Sequence, residues 1–72
     1  MSVPDRIVRA GQVWRNWKGI NYFVVAVSRH TETNEELVTY RKCNDSRDFW
    51  TRSLNMFLDE AGPGIKRFVR VR

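Results

Sequence analysis

Residues 22–28 read Tyr22-Phe23-Val24-Val25-Ala26-Val27-Ser28, and the first six of them form the longest apolar run in the chain. Valine and aromatic residues dominate this run, and both types are enriched in strands. Apolar side chains occupy both of its alternating faces, as in a central strand that is covered on both sides. The run therefore predicts a central β-strand, which we take as the second strand of the fold.

Turn signals separate this strand from alternating segments on both sides. Residues 12–17 predict a first strand, and Lys18-Gly19-Ile20-Asn21 joins it to the second, since Gly19 tolerates a positive φ. Residues 36–42 predict a third strand that pairs with the second. Residues 49–52 predict a short fourth strand after a further polar turn.

Two interpretations fit the segment that follows the fourth strand. In the first, Ser53 caps a brief helical or 3₁₀ turn, in which Leu54, Phe57 and Leu58 fall on one face. In the second, residues 57–61 are extended and begin a hairpin across Gly62-Pro-Gly64. The pattern leaves both open.

The last segment, residues 65–72, predicts an edge strand with one apolar and one basic face. The apolar face would carry Ile65, Val69 and Val71. Residues 65–72 hold four positive charges and no acid, although the whole chain has a net charge of only +5. These four cations are either a phosphate-binding surface or a solvated edge strand: Lys66, Arg67, Arg70 and Arg72.

Five short strands, with one short helical or 3₁₀ turn before the last, predict an all-β fold: a small five-stranded SH3-like barrel. Closing a barrel removes sheet edges, which a chain of 72 residues tolerates poorly. We expect residues 1–10 to form an N-terminal arm and residues 11–72 to form the single barrel domain.

The composition excludes several classes of protein. With 42% hydrophobic and 29% charged residues, the chain is not intrinsically disordered. Its one histidine, His30, and one cysteine, Cys43, leave a zinc site short of ligands, so we expect no metal and no cofactor. A catalytic pair of these two residues lacks an orienting acid and an oxyanion hole, so we expect no enzyme. With no spanning segment or export signal, we expect a cytoplasmic protein that does not enter a membrane.

Motifs spread over most of the chain resemble one known family. They are Gly11-x-Val-Trp-Arg-x-Trp-Lys-Gly19, Tyr22-x-Val24, His30-Thr-Glu-Thr-x-Glu35, Val38-x-Tyr40 and Trp50-x-Arg-x-x-x-Met-Phe57. Over roughly residues 11–68 the chain resembles the bacterial and phage domain-of-unknown-function family 1653. Asn16 and Trp17 stand where the family typically has His and Tyr, and Ser53 stands where it usually has Pro. The resemblance implies a small β-rich fold and a cytoplasmic origin, and it assigns no activity.

Two polar clusters are candidate binding residues. His30 and Glu32 either read the polar edges of a ligand or belong to a hairpin turn that satisfies its own backbone. Trp50 and Arg52 lie on one face of a strand, where an aromatic ring beside a cation can stack a base and hold a phosphate. The alternative for this pair is a core tryptophan with an arginine over its rim.

The first strand raises a question about its tryptophans. Trp14 and Trp17 point to opposite faces, so both cannot enter one core, and one of them or Tyr22 is expected to be partly exposed. An exposed tryptophan beside Arg15 and Lys18 would form a contact surface. Alternatively, the N-terminal residues or a partner subunit cover it.

These observations predict a non-enzymatic binding module for an anionic, planar ligand, a nucleotide or nucleic acid. The tryptophans would stack, Arg15, Lys18 and Arg52 would meet phosphate, and His30 and Glu32 would read polar edges. The alternative is a protein-interaction module, a homodimer or a small phage-type regulator or inhibitor that uses an exposed aromatic face.

Overall fold

A computed structural model describes residues 7–72 of the chain. The described residues form seven strands and one short helix. In chain order they are β1 (Val13–Asn16), β2 (Asn21–Arg29), β3 (Glu36–Lys42), β4 (Trp50–Ser53), α1 (Leu54–Phe57), β5 (Glu60–Gly62), β6 (Ile65–Lys66) and β7 (Phe68–Arg70). No helix within these residues is long and apolar enough to cross a membrane.

Five of the strands form one antiparallel sheet in the order β4-β3-β2-β1-β7. The first four follow one another as a meander, and β7 returns to pair with β1. The fold is mostly β, as predicted, but the five-stranded sheet is not closed into a barrel. Closure needs a hydrogen-bonded ladder between β4 and β7, and these short strands instead lie at opposite edges of the sheet. The chain between them forms α1 and a separate two-stranded sheet of β5 and β6.

The predicted central strand contains an irregularity that alternation alone does not reveal. The pairing of β2 with β3 shifts between Val24, which lies opposite Tyr40, and Ala26, which lies opposite Thr39. This bulge reverses which face each later side chain occupies. As a result Val27, and not Ala26, packs against the core.

The core lies on one face of the sheet and is built around aromatic rings. The buried cluster comprises Val8, Trp14, Val24, Val38, Tyr40, Phe57 and Phe68. Phe57 from α1 and Phe68 from β7 stack with ring centroids 4.1 Å apart, so the helix and the last strand meet over the sheet. Val8 belongs to this cluster although we assigned it to an N-terminal arm, so core packing begins before residue 11. Residues 1–6 of that expected arm lie outside the described residues.

The segment after β4 contains the predicted helical turn and then the predicted hairpin, but residues 57–59 are not extended as the second interpretation expected. The Ser53 hydroxyl accepts a hydrogen bond from the backbone N–H of Met56 at 3.1 Å and caps α1. The helix ends at Phe57, and β5 and β6 then pair across Pro63 and Gly64, where Gly64 adopts a φ of 74°. The helix is only four residues long, so the hairpin can begin at Glu60, three residues after the helix ends.

The expected apolar face of the last segment is wrong. Ile65, Val69 and Val71 are exposed, whereas Phe68 from the expected basic face is buried. The segment is not one continuous strand, because it breaks at Arg67 between β6 and β7. Stacking of Phe68 on Phe57 sets the orientation of β7 and turns Val69 outward.

Candidate functional site

A cleft of about 340 Å³ opens on the core side of the sheet, where the β1–β2 turn meets β3, β4 and residue 67. Its lining includes four cationic side chains: Lys18, Lys42, Arg52 and Arg67. It also includes four aromatic side chains: Trp17, Tyr22, Tyr40 and the buried Phe68. No acidic residue lines it within the described part of the chain, so the positive charges in the cleft are not balanced there.

Strand register brings the residues of β2, β3 and β4 to this cleft. Tyr22 lies opposite Lys42, and Val38 lies opposite Arg52, and opposed residues of antiparallel strands share a face. Tyr40 is two residues from Lys42, so it points to the same side. The Nε of Arg52 donates to the hydroxyl oxygen of Tyr40 at 3.3 Å, which orients the guanidinium along the cleft wall.

The β1–β2 turn presents Trp17 and Lys18 at the cleft mouth. The Asn16 side-chain oxygen accepts hydrogen bonds from the backbone N–H groups of Lys18 and Ile20, both at 3.0 Å. Gly19 adopts a φ of 90°, which lets the turn close. The Nζ of Lys18 lies 5.2 Å from the Trp17 ring centroid, within the range of a cation–π contact. The turn is therefore fixed by the side chain of Asn16.

Arg67 enters the cleft from the break between β6 and β7. Its backbone N–H donates to the carbonyl of Asp59 at 2.9 Å, and its carbonyl accepts from the backbone N–H of Trp17 at 3.1 Å. One side-chain nitrogen, Nη2, donates to the carbonyl of Glu60 at 3.4 Å. The Nε is buried and has no hydrogen-bond partner among residues 7–72. The guanidinium therefore keeps an unused donor.

The environment of Tyr22 is consistent with a partly desolvated site. Burial is the largest cause that raises the pKa of its hydroxyl, Tyr40 raises it further, and the nearby Arg52 partly opposes both. The phenol therefore stays protonated at neutral pH and remains a hydrogen-bond donor. The cleft can offer donors from both charged and neutral side chains.

A comparison with protein families bears on the whole chain. The family model described as Protein of unknown function (DUF1653) matches residues 12–70. The chain belongs to this family. The match confirms the resemblance seen in the motifs between Gly11 and Phe68, and it covers all residues of the cleft. No curated protein and no solved structure gives a significant match to the chain.

Of the candidate residues, the structure brings Trp17, Lys18, Arg52 and Arg67 together in this DUF1653 member. Trp17 is the exposed tryptophan of the first pair, with 53% of its surface accessible. Trp14 is 4% exposed, and its indole N–H donates to the side-chain oxygen of Gln12 at 2.9 Å. A stacking role for Trp14 is therefore corrected to a core role, because its ring is enclosed.

Trp50 lies opposite Tyr40 and on the same face as Arg52, as the spacing predicted. Its ring is 49% exposed at the sheet edge formed by β4, so it is not a core tryptophan. It does not line the cleft of Tyr40 and Arg52, although it lies beside that cleft on the same face. Trp50 is thus available as a second ring next to the cationic cleft.

His30 and Glu32 lie in the β2–β3 turn, at the far end of the hairpin from the cleft. The His30 Nδ1 accepts from the backbone N–H groups of Glu32 at 3.1 Å and Thr33 at 3.3 Å. The geometry favours the hairpin-turn interpretation, with the imidazole itself as the capping group. Cys43 follows the opposite end of β3, beside Asn21, so the fold does not place it near His30.

The remaining candidate cations do not reach the cleft. Arg15 is exposed, and its Nε donates to the side-chain oxygen of Asn21 at 2.9 Å. Lys66, Arg70 and Arg72 are exposed beyond or along the last strands. Of the four C-terminal cations, only Arg67 lines the cleft, so the basic segment is not one uniform surface.

The cleft residues that sequence reasoning missed include Tyr22, Tyr40 and Lys42. We had assigned all three to predicted strands without a binding role. The available signal was their alternation, since Tyr40 and Lys42 share a face of β3. Placing Tyr22 beside them requires the register of the β2–β3 hairpin, which alternation does not specify.

Proposed function

We propose that the protein is a non-enzymatic binding module for an anionic, planar ligand, a nucleotide or nucleic acid. The observation that carries this proposal is the cleft in which four cations meet four aromatic side chains, with no acid among its described lining residues. Cations bind phosphate oxygens, and an adjacent ring stacks on a base. The volume of about 340 Å³ is at the low end of the range for small-molecule sites.

The residues divide into two roles in this proposal. Lys18, Lys42, Arg52 and Arg67 meet the phosphate, and Tyr22 adds a neutral donor. The exposed ring of Trp17 stacks on the base, and the exposed ring of Trp50 extends the aromatic surface on the same face. Trp14 lies in the core, and His30 and Glu32 lie in the β2–β3 turn away from the cleft, so all three are left out of the site.

We propose an SH3-like arrangement as the finer description of the fold. The order β4-β3-β2-β1-β7 supports it, because the last strand returns to the first after a short helix. We keep the cytoplasm as the proposed location, since Cys43 is a free, exposed thiol and such thiols persist in reducing compartments.

The proposal is tested by an amide chemical-shift titration with nucleotides and single-stranded oligonucleotides, at low and at physiological salt. We expect shifts at the residues of the cleft, with an affinity that falls as salt rises. An Arg52→Gln variant should lose binding, whereas Arg47→Gln, outside the cleft, should retain it. Shifts confined to residues 70–72, or none at all, would count against the proposal.

A protein-interaction function is the second candidate, and one groove favours it. Trp17, Val69 and Val71 form a shallow apolar groove beside the edge strand β7, with Arg15 and Arg70 also lining it. Val69 is 57% exposed, and the two arginines would favour an acidic partner. Binding through these apolar side chains should depend less on salt than binding of phosphate, so a salt series separates the two functions.

A further inference from the structure

The side chain of Arg67 has a donor that the fold does not use. Its Nε is buried without a partner among the described residues, while Nη2 makes a long hydrogen bond of 3.4 Å to the carbonyl of Glu60. Buried donors in native proteins are nearly always satisfied, so an unpaired one indicates an absent acceptor. Because Arg67 lines the cationic cleft, a rotation of its guanidinium would turn this enclosed donor toward an anion bound there.

The charge of the cleft favours a dense anion. Lys18, Lys42, Arg52 and Arg67 converge on a volume of about 340 Å³ with no acidic lining residue among those described. A terminal phosphate monoester carries between one and two negative charges at neutral pH and has three acceptor oxygens. An internal phosphodiester of a nucleic acid carries one charge. Lys42 is partly offset by Asp45, whose pKa it helps to lower, but no described acid lines the cleft beside Lys18, Arg52 and Arg67, and this charge matches the monoester better.

The surface next to the cleft limits how a polymer could lie in it. Toward residues 44–47, a neighbouring cleft shares Ile20 and Lys42 with this one but contains Asp45. The backbone N–H and the Nε of Arg47 both donate to Asp45 Oδ1, at 2.9 and 3.4 Å, and hold the pKa of that carboxyl below its usual range. Arg47 is thereby compensated, and the carboxylate repels a second phosphate on that side.

The opposite side differs, because the groove beyond Trp17 is lined by Val69 and Val71 together with Arg15 and Arg70. On this side a polymer would meet cations and apolar side chains and no described acidic lining residue. We therefore propose that the cleft receives a terminal phosphate monoester, from a mononucleotide or from the end of an oligonucleotide, and that Arg67 is its principal ligand. This inference rests on the function proposed above and adds the kind of phosphate that is recognised.

The experiment compares Kd values for one short single-stranded oligonucleotide with a 5′-phosphate, a 3′-phosphate or hydroxyl groups at both ends. A mononucleotide and the matching nucleoside form a second pair. We expect that a terminal phosphate lowers the Kd of the wild type at least tenfold in the oligonucleotide series or in the mononucleotide pair. If the mononucleotide binds as tightly as the phosphorylated oligonucleotide, the ligand that supplies the terminal phosphate is a free nucleotide. If the phosphorylated oligonucleotide binds more tightly, the ligand is the end of a strand.

Two substitutions of Arg67 test its role. Arg67→Lys keeps the charge but removes the Nε donor, and Arg67→Gln removes the charge as well. Both should abolish most of the preference for the terminal phosphate, while Lys66→Gln, next to Arg67 in sequence but outside the cleft and the neighbouring groove, should keep it. Amide spectra of each variant verify folding, and Arg67→Lys is the variant that counts if Arg67→Gln unfolds.

Two other results would overturn the inference in different ways. If phosphorylated and unphosphorylated oligonucleotides bind equally, and Arg52→Gln still weakens both, the cleft binds nucleic acid but does not read a terminal phosphate. If no nucleotide or oligonucleotide binds the wild type, the proposed function fails and this inference fails with it.

Discussion

The backbone N–H of Trp17 donates to the carbonyl oxygen of Arg67 at 3.1 Å. This bond joins the β1–β2 turn to the break between β6 and β7, two segments far apart in sequence. Asp59 holds Arg67 from the other side, because its carbonyl accepts the Arg67 N–H at 2.9 Å. Lys18 and Arg67 therefore reach one cleft through backbone bonds, and the cleft depends on the packing of the C-terminal segment.

Truncation of Trp14 should lower the stability of the protein much more than truncation of Trp17. Trp14→Ala removes a buried ring that contacts Phe57 edge-on at 5.3 Å, and we expect it to cost about 3–5 kcal/mol of unfolding free energy. Trp17→Ala should cost about 1 kcal/mol or less, since its ring is exposed. Urea denaturation measures both. Equal losses would show that the assignment of core and surface tryptophan is wrong.

Ser53 should contribute to stability through its cap. Ser53→Ala removes the acceptor for the Met56 N–H and should lower the unfolding free energy by about 1 kcal/mol. Ser53→Asp retains an acceptor and is the matched control. If both variants are as stable as the wild type, the cap does not stabilise α1.

His30 should matter for stability and not for ligand binding. His30→Ala removes the acceptor for two backbone N–H groups and should cost about 0.5–1.5 kcal/mol. His30→Asn, which keeps a side-chain acceptor, should recover part of that loss. A loss of nucleotide affinity at unchanged stability would instead place His30 in a binding site.

Tyr22 should make stability decrease at alkaline pH. Its folded pKa is raised above the ordinary value of 10.0, chiefly by burial, so the folded state favours the protonated phenol. The corresponding stability is fully present below pH 10.0 and is lost as pH rises through the raised pKa. Denaturation at several alkaline pH values should show a smaller decrease in Tyr22→Phe. An identical decrease in both proteins would exclude Tyr22 as its source.

Alternation in the sequence predicted most of the sheet. The third strand has the bounds that we expected, residues 36–42, and the first, second and fourth each differ by one residue at both ends. These segments alternate or are continuously apolar between clear turn signals. The Ser53 cap was also predictable, because the hydroxyl and the Met56 N–H that donates to it are only three residues apart.

The remaining features depend on contacts between distant segments. The orientation of β7 follows from Phe68 stacking on Phe57. Alternation in residues 65–72 fits burial of either face of the strand, so it does not predict this orientation. The bulge at Val25 is a property of the β2–β3 pair and not of either strand. The cleft combines residues from the segments 16–22, 40–42, 52 and 67–68, so only part of it was predictable without the register.

The most direct test of the central claim follows the Nε–H signals of Arg67 and Arg47 during a titration with a nucleoside monophosphate. Arg67 Nε has no partner among the described residues, whereas Arg47 Nε already donates to Asp45 and serves as an internal control. We expect the Arg67 signal to shift and saturate while the Arg47 signal stays in place. An unchanged Arg67 signal, or equal shifts of both, would contradict phosphate binding in the cleft.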